Sequence, residues 1–311
     1  MAHRPVIVAT FTTVGAAVAT AVAHGQVDGQ RRPLRGCEAP SVAAALPTLR
    51  ESGVAIVDGV INAKLVAAIK ATAAYRGMPT RLERSRRGRV DSSTPLQPAW
   101  TPSAVGRLHR REETLDASDV KVLERVERLI WPLVVDFFAD GDADEAKKYA
   151  YEQGAPTPDG YKLWQKCDVY RSELQLLNAV PGGMSQAWHS DNHEKGLSFI
   201  VPLADFTLAN GGTQLLPGSH VGNWSAVATR GAGCIVAPVG AIAAYDSRTY
   251  HRGPVNETDH GRPAIILCYD RKSTPPPGIS ANGSIAHSFL AVFLNIASTC
   301  WGKFAPPPAA R

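Results

Sequence analysis

The chain has 311 residues, of which 44% are hydrophobic and 20% charged, a composition typical of a soluble globular protein with one large domain or two small ones. Its net charge of +5 is mild, and no aromatic residues interleave its one basic run, residues 81–89, which argues against a nucleic-acid-binding protein. Five scattered cysteines without a Cys-x-x-Cys pair argue against a zinc knuckle and a disulfide framework, so buried free thiols in a reducing compartment are expected.

Residues 1–40 are predicted to lie outside the fold. A basic head precedes an apolar run, residues 5–23, that ends in small residues, as in a secretory signal peptide. The absence of acids before Asp28, with arginines after it, also suits an organelle transit peptide, and a membrane anchor is a third interpretation. We favour a cleaved targeting segment for a compartment left open, and we expect no stable membrane span in the mature protein.

Helices are predicted in the first half of a single domain, residues 41–272. A short helix feeds a buried strand, and Asn62 caps a second helix. A third helix starts near Ala117, with a kink expected at Pro132, and the acidic residues 140–145 start a short polar helix. Residues 76–115 show little periodicity, which indicates either a loop that covers the substrate or a mobile segment.

Strands and turns are predicted from Tyr161 onward. Short apolar runs alternate with Gly, Pro, Asn and Asp, a pattern that indicates an all-β sandwich or jelly roll. Residues 162–180 are predicted to form paired strands, and single strands are predicted at residues 197–203, 213–216, 241–245 and 264–269. In the last segment, residues 273–311, an apolar helix (285–296) is expected before a Pro/Ala-rich tail.

Four motifs in the second half carry the chemistry. His189 and Asp191 stand two residues apart on an extended segment, so their side chains point to the same side. An Asn-Gly-Gly reversal at residues 210–212 leads into Pro-Gly-Ser-His, and then come His251 and, eleven residues later, Arg262. Two histidines and one carboxylate on one face of a metal form the ligand set of non-haem Fe(II) oxygenases.

This ordered set resembles the phytanoyl-CoA dioxygenase family of Fe(II)- and 2-oxoglutarate-dependent oxygenases. Members carry a His-x-Asp, an Asn-Gly stretch leading to Pro-Gly-Ser/Thr-His, a distal His, and an Arg about eleven residues after it. Residues 51–60 also resemble the opening phrase of that family. The resemblance covers residues 41–272 and implies a mainly β fold with flanking helices around a double-stranded β-helix core, the jelly roll of cupin-like proteins.

The resemblance also implies a role for each motif residue. His189, Asp191 and His251 would hold Fe(II), and Arg262 would bind the distal carboxylate of the co-substrate 2-oxoglutarate. With O₂, such an enzyme hydroxylates a C–H bond and releases succinate and CO₂. Related halogenases have a small residue in place of the Asp, so the presence of Asp191 favours hydroxylation.

Three neighbouring residues and two rival functions stay open. His193 is expected to act behind the ligands or on the substrate, His220 to be structural, and Trp188 to line the pocket or pack in the core. The rivals are a non-catalytic jelly-roll binding protein and a zinc hydrolase. The expected partner is a small organic molecule, anionic or acyl-CoA-like, with no nucleic acid.

Overall fold

The computed structural model describes residues 31–72, 75, 117–148, 169–182, 185–186, 188–271, 273–274 and 276. The predicted loop 76–115 and the carboxyl-terminal helix 285–296 lie outside these residues. The described elements are α1 (Ala45–Ser52), β1 (Val54–Val57), α2 (Ala63–Lys70), α3 (Ala117–Ala139), α4 (Ala143–Lys148), β2 (Val169–Ala179), β3 (Leu197–Pro202), β4 (Gln214–Leu215), α5 (Trp224–Arg230), β5 (Gly233–Cys234), β6 (Ile242–Asp246), β7 (His251–Arg252) and β8 (Arg262–Arg271), with a 3-10 turn at Ser219–Val221. Among the described helices, none has both the length and the apolarity needed to cross a bilayer.

The strands form two antiparallel sheets. The large sheet has the order β1-β6-β3-β8-β2, and the small sheet has the order β5-β4-β7. Apolar side chains from both sheets, among them Ile56, Ile200 and Leu215, form one core cluster between them. This arrangement is the predicted jelly roll, and the fold class is confirmed.

A second core lies on the outer face of the large sheet, where the helices pack. Along β8, Ile265, Leu267 and Tyr269 belong to the helix-side core, whereas the alternate residue Ala264 belongs to the core between the sheets. This two-residue period is what a strand buried on both faces requires. The large sheet is therefore the middle layer of the molecule.

The helices begin where the sequence predicts them. The side chain of Asn62 accepts a hydrogen bond from the backbone N–H of Leu65 at 2.9 Å, which caps α2. Asp142 does the same for α4 through the N–H groups of Asp144 and Glu145. Pro132 lies inside α3, which continues to Ala139.

Residues 31–40, which we call the amino-terminal strap, correct the predicted start of the fold. Leu34 and Cys37 are buried. The strap's backbone bonds to the outermost strand of each sheet, since Leu34 N–H donates to Cys234 at 2.7 Å and Ile56 N–H donates to Cys37 at 2.7 Å. Edge strands carry unpaired backbone groups, and the strap satisfies them on both sheets. The folded part therefore includes residues from 31 onward rather than from 41.

The cysteines agree with the prediction of unpaired thiols. Cys37, Cys234 and Cys268 are free and buried, while Cys167 and Cys300 lie outside the described residues. Burial raises the pKa of the Cys37 and Cys234 thiols to about 11 and that of the Cys268 thiol well above its usual value. These three thiols are therefore protonated packing residues at neutral pH.

Candidate metal centre

The backbones of the two candidate histidine ligands are bonded to each other. His189 N–H donates to the carbonyl of His251 at 3.0 Å, and His251 N–H donates back to His189 at 2.8 Å. The residues before His189 continue this run, since Gln186 N–H donates to the carbonyl of Gly253 at 2.8 Å. The segment that carries His189 therefore lies beside β7 as an extra strand of the small sheet.

The side chains of His189, Asp191 and His251 converge. Their ligand atoms all lie within 4.8 Å of one another, and no other such group occurs among the described residues. Asp191 Oδ1 is 3.4 Å from His251 Nε2 and 3.8 Å from His189 Nε2. The His251 side chain is 7% exposed, while those of His189 and Asp191 are 35% and 29% exposed. The centre is thus closed on one side and open on the other.

The hydrogen bonds around the centre leave its ligand atoms available. The Nδ1–H of His251 donates to the carbonyl of Thr249 at 3.0 Å, which leaves Nε2 as the ring nitrogen that faces Asp191 and the metal position. Burial raises the pKa of the Asp191 carboxyl, but the His251 and His189 imidazoles and the Tyr245 hydroxyl outweigh it and hold this pKa well below its usual range. Asp191 is therefore a carboxylate at neutral pH, ready to bind a cation.

Two hydroxyl groups contact the other oxygen of Asp191. The Tyr245 hydroxyl donates to Oδ2 at 2.8 Å, and the Ser198 hydroxyl lies 3.3 Å from the same atom. Burial raises the pKa of Tyr245 well above its usual value, and the charge of Asp191 adds to this shift. Tyr245 therefore keeps its proton and remains a donor.

A buried amide fixes the turn that follows Asp191. The side chain of Asn192 donates to Asp270 Oδ1 at 2.7 Å and accepts from the backbone N–H groups of His193 and Glu194. The backbone N–H of Asp191 itself donates to the carbonyl of Ser247 at 2.9 Å. The sequence does not identify Tyr245, Ser198 or Asn192 as site residues. Strand register places Ser198 beside Tyr245, and the backbone bond to Ser247 brings Asp191 to them.

Arg262 is buried at the start of β8. Its guanidinium stacks on the ring of Phe206, 4.4 Å from the ring centroid. Burial lowers the pKa of Arg262 to about 10, and the nearby charge of Arg31 adds to this effect, yet the group stays charged at neutral pH. Among the described residues, its Nε has no hydrogen-bond partner and no carboxylate pairs with it.

The three residues whose roles the sequence leaves undecided have distinct surroundings. Trp188 is buried, with the guanidinium of Arg252 5.0 Å from its ring centroid. His220 Nε2 lies 3.1 Å from the carbonyl of Arg50, which ties the 3-10 turn to α1 and agrees with a structural role. His193 is half-buried and not part of the metal-binding group.

The Asn-Gly-Gly reversal needs its glycines for close backbone approach. A Cβ on Gly212 would overlap the carbonyl oxygen of Ile235, and a Cβ on Gly211, which has φ +73°, would overlap that of Val255. The two glycines therefore let the chain turn tightly into β4, which pairs with β7 and so supports His251.

A comparison with known families decides the family. The phytanoyl-CoA dioxygenase model matches residues 49–264, which is 216 of the 311 residues. The chain belongs to the phytanoyl-CoA dioxygenase family. It is therefore a 2-oxoglutarate-dependent dioxygenase, with Fe(II), 2-oxoglutarate and O₂ as its cofactor and co-substrates, and the His-Asp-His group fits iron in its donor types and spacing.

Several solved structures are similar at low identity. AviO1 from Streptomyces viridochromogenes Tue57 is 18% identical, with 76% of this chain and 97% of that one covered and a TM-score of 0.44. SnoN, a non-heme alpha ketoglutarate dependent epimerase from nogalamycin biosynthesis, is 16% identical, with 76% and 86% covered and a TM-score of 0.43. EvdO2 from Micromonospora carbonacea var. aurantiaca is 20% identical, with 74% and 92% covered and a TM-score of 0.42.

Proposed function

We propose that this dioxygenase hydroxylates a C–H bond of a small organic molecule, with Fe(II) held by His189, Asp191 and His251 and with 2-oxoglutarate anchored by Arg262. Bound iron and 2-oxoglutarate would supply the oxidising chemistry, with succinate and CO₂ as co-products. The protein's part is to place the ligands, hold the co-substrate and shape the pocket. The Asp191 carboxylate supports hydroxylation over halogenation, because it fills the position that a halide would need.

The observation that carries the proposal is the buried, unpaired guanidinium of Arg262. A buried charge is costly unless an opposite charge compensates it. Among the described residues, no carboxylate does so. A planar guanidinium binds a carboxylate through two parallel hydrogen bonds, and a dicarboxylic acid such as 2-oxoglutarate can supply one.

The two rivals leave Arg262 without a task. A zinc hydrolase could use the same two histidines and the aspartate, but it needs no buried cation for a dicarboxylate. A binding protein that has lost catalysis does not need both a metal centre and an anchor for a co-substrate. The measurement that separates these functions is whether 2-oxoglutarate binds at the metal.

We expect the anaerobic Fe(II) protein to develop a weak metal-to-ligand charge-transfer band in the visible spectrum when 2-oxoglutarate is added. Arg262→Gln should still bind Fe(II), but its 2-oxoglutarate affinity should fall on the order of a hundredfold, as expected when one partner of a buried charge pair is lost. Arg50→Gln is the matched control, because the Arg50 guanidinium pairs with Asp140 on the surface, and with no other carboxylate in the described part of the chain. Titration of the band gives the affinity in each case.

The outcomes separate the candidate functions. Iron binding without any band in the wild-type protein would favour the binding-protein rival. A band that Arg262→Gln leaves unchanged would keep the oxygenase but remove Arg262 as the anchor. Release of succinate from 2-oxoglutarate should disappear in His189→Ala and Asp191→Ala, and turnover at the wild-type rate in either variant would remove these residues from the iron site.

The substrate is proposed only as a class, a small organic molecule that is anionic or acyl-CoA-like. The basic run at residues 81–89 supports this class through its charge. The run lies outside the described residues. Mass spectrometry of candidate acids and thioesters after turnover would detect the gain of one oxygen atom, and a product with chlorine or an altered stereocentre instead would contradict hydroxylation.

A further inference from the structure

The two oxygens of Asp191 have different surroundings. Oδ1 faces both candidate imidazole ligands, at 3.4 Å from His251 Nε2 and 3.8 Å from His189 Nε2. Oδ2 points away from them, toward the hydroxyl of Tyr245 at 2.8 Å and the hydroxyl of Ser198 at 3.3 Å. One oxygen is therefore available to a metal, and the other is held by protein donors.

We propose that Tyr245, assisted by Ser198, is a positioning residue that restricts Asp191 to binding the metal through Oδ1 alone. This inference rests on the proposed iron site. Its consequence concerns the co-substrate, because a carboxylate can bind a metal through one oxygen or through both. A one-oxygen aspartate leaves the open positions that a bidentate 2-oxo acid and O₂ require.

The scaffold makes this arrangement rigid. Ser198 on β3 and Tyr245 on β6 are directly opposite each other in the large sheet, so their side chains leave the same face side by side. Both are buried, with Tyr245 3% exposed. The backbone N–H of Asp191 is fixed in turn by the carbonyl of Ser247, just past the end of β6. Hydroxyls on neighbouring strands can therefore hold Oδ2 in place before any metal arrives.

The hydrogen bonds to Oδ2 also make it a weaker metal ligand than Oδ1. A hydroxyl that donates to a carboxylate oxygen withdraws electron density from that oxygen. The oxygen then binds a cation less strongly. Ser198 has a single proton and also lies 3.1 Å from the Ser247 hydroxyl and 3.4 Å from the Cys268 sulfur, so these groups compete with Oδ2 for that proton. Tyr245, with its shorter contact, is the main donor.

Tyr245→Phe is the variant that tests the inference. Without the phenol hydroxyl, Oδ2 is free to join Oδ1 on the metal and to compete with 2-oxoglutarate for a position. We expect Co(II) affinity, measured by calorimetry with the metal alone, to stay within about twofold of wild type or to rise. The 2-oxoglutarate affinity of the anaerobic Fe(II) protein should fall about tenfold, the factor that matches one lost hydrogen bond to a charged group.

Tyr269→Phe is the matched control. Tyr269 is a fully buried tyrosine on β8 whose hydroxyl donates to a carboxylate, that of Glu127, at 3.0 Å on the helix-side face of the large sheet. Its loss also removes one buried phenol hydroxyl, but far from the metal-facing side of the sheet. Both metal and 2-oxoglutarate affinities of this variant should equal those of the wild-type protein.

Two results would overturn the inference: an unchanged 2-oxoglutarate affinity in Tyr245→Phe, or a parallel loss of metal and 2-oxoglutarate affinity, which a merely structural role predicts. Should Tyr245→Phe not fold, Ser198→Ala takes its place, with a smaller loss of 2-oxoglutarate affinity expected and an unchanged value contradicting the inference. Failure of the proposed function looks different, since the wild-type protein itself would then show no charge-transfer band.

Discussion

His220 and His251 are both buried, yet their surroundings shift their protonation in opposite directions. Burial lowers the pKa of each imidazole. At His251 the charge of Asp191 and its hydrogen bonds outweigh burial, and the pKa is raised. At His220 the bond to the Arg50 carbonyl offsets burial only in part, so its pKa is lowered and the ring is neutral in the fold.

The lowered pKa of His220 makes the free energy of unfolding depend on pH. Between its folded pKa and the usual value of 6.5, the unfolded chain binds more protons than the folded one, so the protein loses stability as the pH falls through this window. Urea unfolding at several pH values from 7.5 to about 5 should show a smaller loss for His220→Gln than for wild type. The difference cannot exceed about 1.4 kcal/mol per pH unit, and parallel profiles would contradict the prediction.

Some residues of the site can be predicted from the sequence, and others cannot. His189, Asp191, His251 and Arg262 could be selected because their order and spacing form a pattern. Tyr245 carries no local signal, because a tyrosine near the end of an apolar strand is most often a packing residue. Its contact with Asp191, 54 positions earlier in the chain, depends on the backbone bond that joins Asp191 to Ser247, just past the end of β6. A bond between such distant positions is a tertiary property.

At the scale of the elements, one carboxylate joins a helix to two strands. Glu127 on α3 lies 2.9 Å from the guanidinium of Arg171 on β2, and it accepts the hydroxyl of Tyr269 on β8. The Glu127 and Arg171 side chains are only 12% and 11% exposed. The helix layer is thus attached to the large sheet by a largely buried ion pair as well as by apolar packing.

Removing this carboxylate should destabilise the protein strongly. Glu127→Ala removes the carboxylate that the largely buried Arg171 and the Tyr269 hydroxyl both contact, and we expect the free energy of unfolding in urea to fall by about 3 kcal/mol. Arg50→Ala, which breaks the exposed pair with Asp140, should change it by no more than about 1 kcal/mol. Equal losses in the two variants would show that the Glu127–Arg171 pair stabilises the protein no more than the exposed pair does.

The length of an element governs how well its sequence predicts it. The helix α3 has a helical period over 23 residues, and the 10-residue strand β8 contains a continuous apolar run, and the sequence predicts both. The strands β5 and β7 have two residues each and are not predicted, whereas the equally short β4 is predicted because the Asn-Gly-Gly reversal and Pro-Gly mark its two ends. Both β5 and β7 are strands because β4 pairs with each of them.

At the scale of the whole molecule, the amino-terminal strap joins the edges of both sheets. Its sequence is polar and contains glycine and proline. The hydrophobic pattern therefore predicts that it lies outside the fold, together with the targeting segment. Of residues 31–40, only Leu34 and Cys37 belong to the core between the sheets. The proposal of a cleaved targeting segment therefore applies to residues before Arg31, which lie outside the described part of the chain.

Two truncations test this boundary. A chain that starts at Arg31 should unfold at the same urea concentration as the full chain. A chain that starts at Ser41 loses the burial of Leu34, worth about 1.5–3 kcal/mol by itself, together with the backbone bonds to Cys234 and Ile56. If the shorter chain were as stable as the longer one, the strap would be dispensable for the fold.

The paired hydrogen bonds between His189 and His251 also bear on how the protein acquires its metal. Because these bonds join main-chain atoms within a sheet, the spacing of the two imidazoles is set when the polypeptide folds, with no cation needed as a template. This is the reverse of a zinc finger, whose chain orders only around its ion. The folded protein is then able to receive and exchange its cation, so that the metals available to it, as well as its ligands, determine which ion it carries.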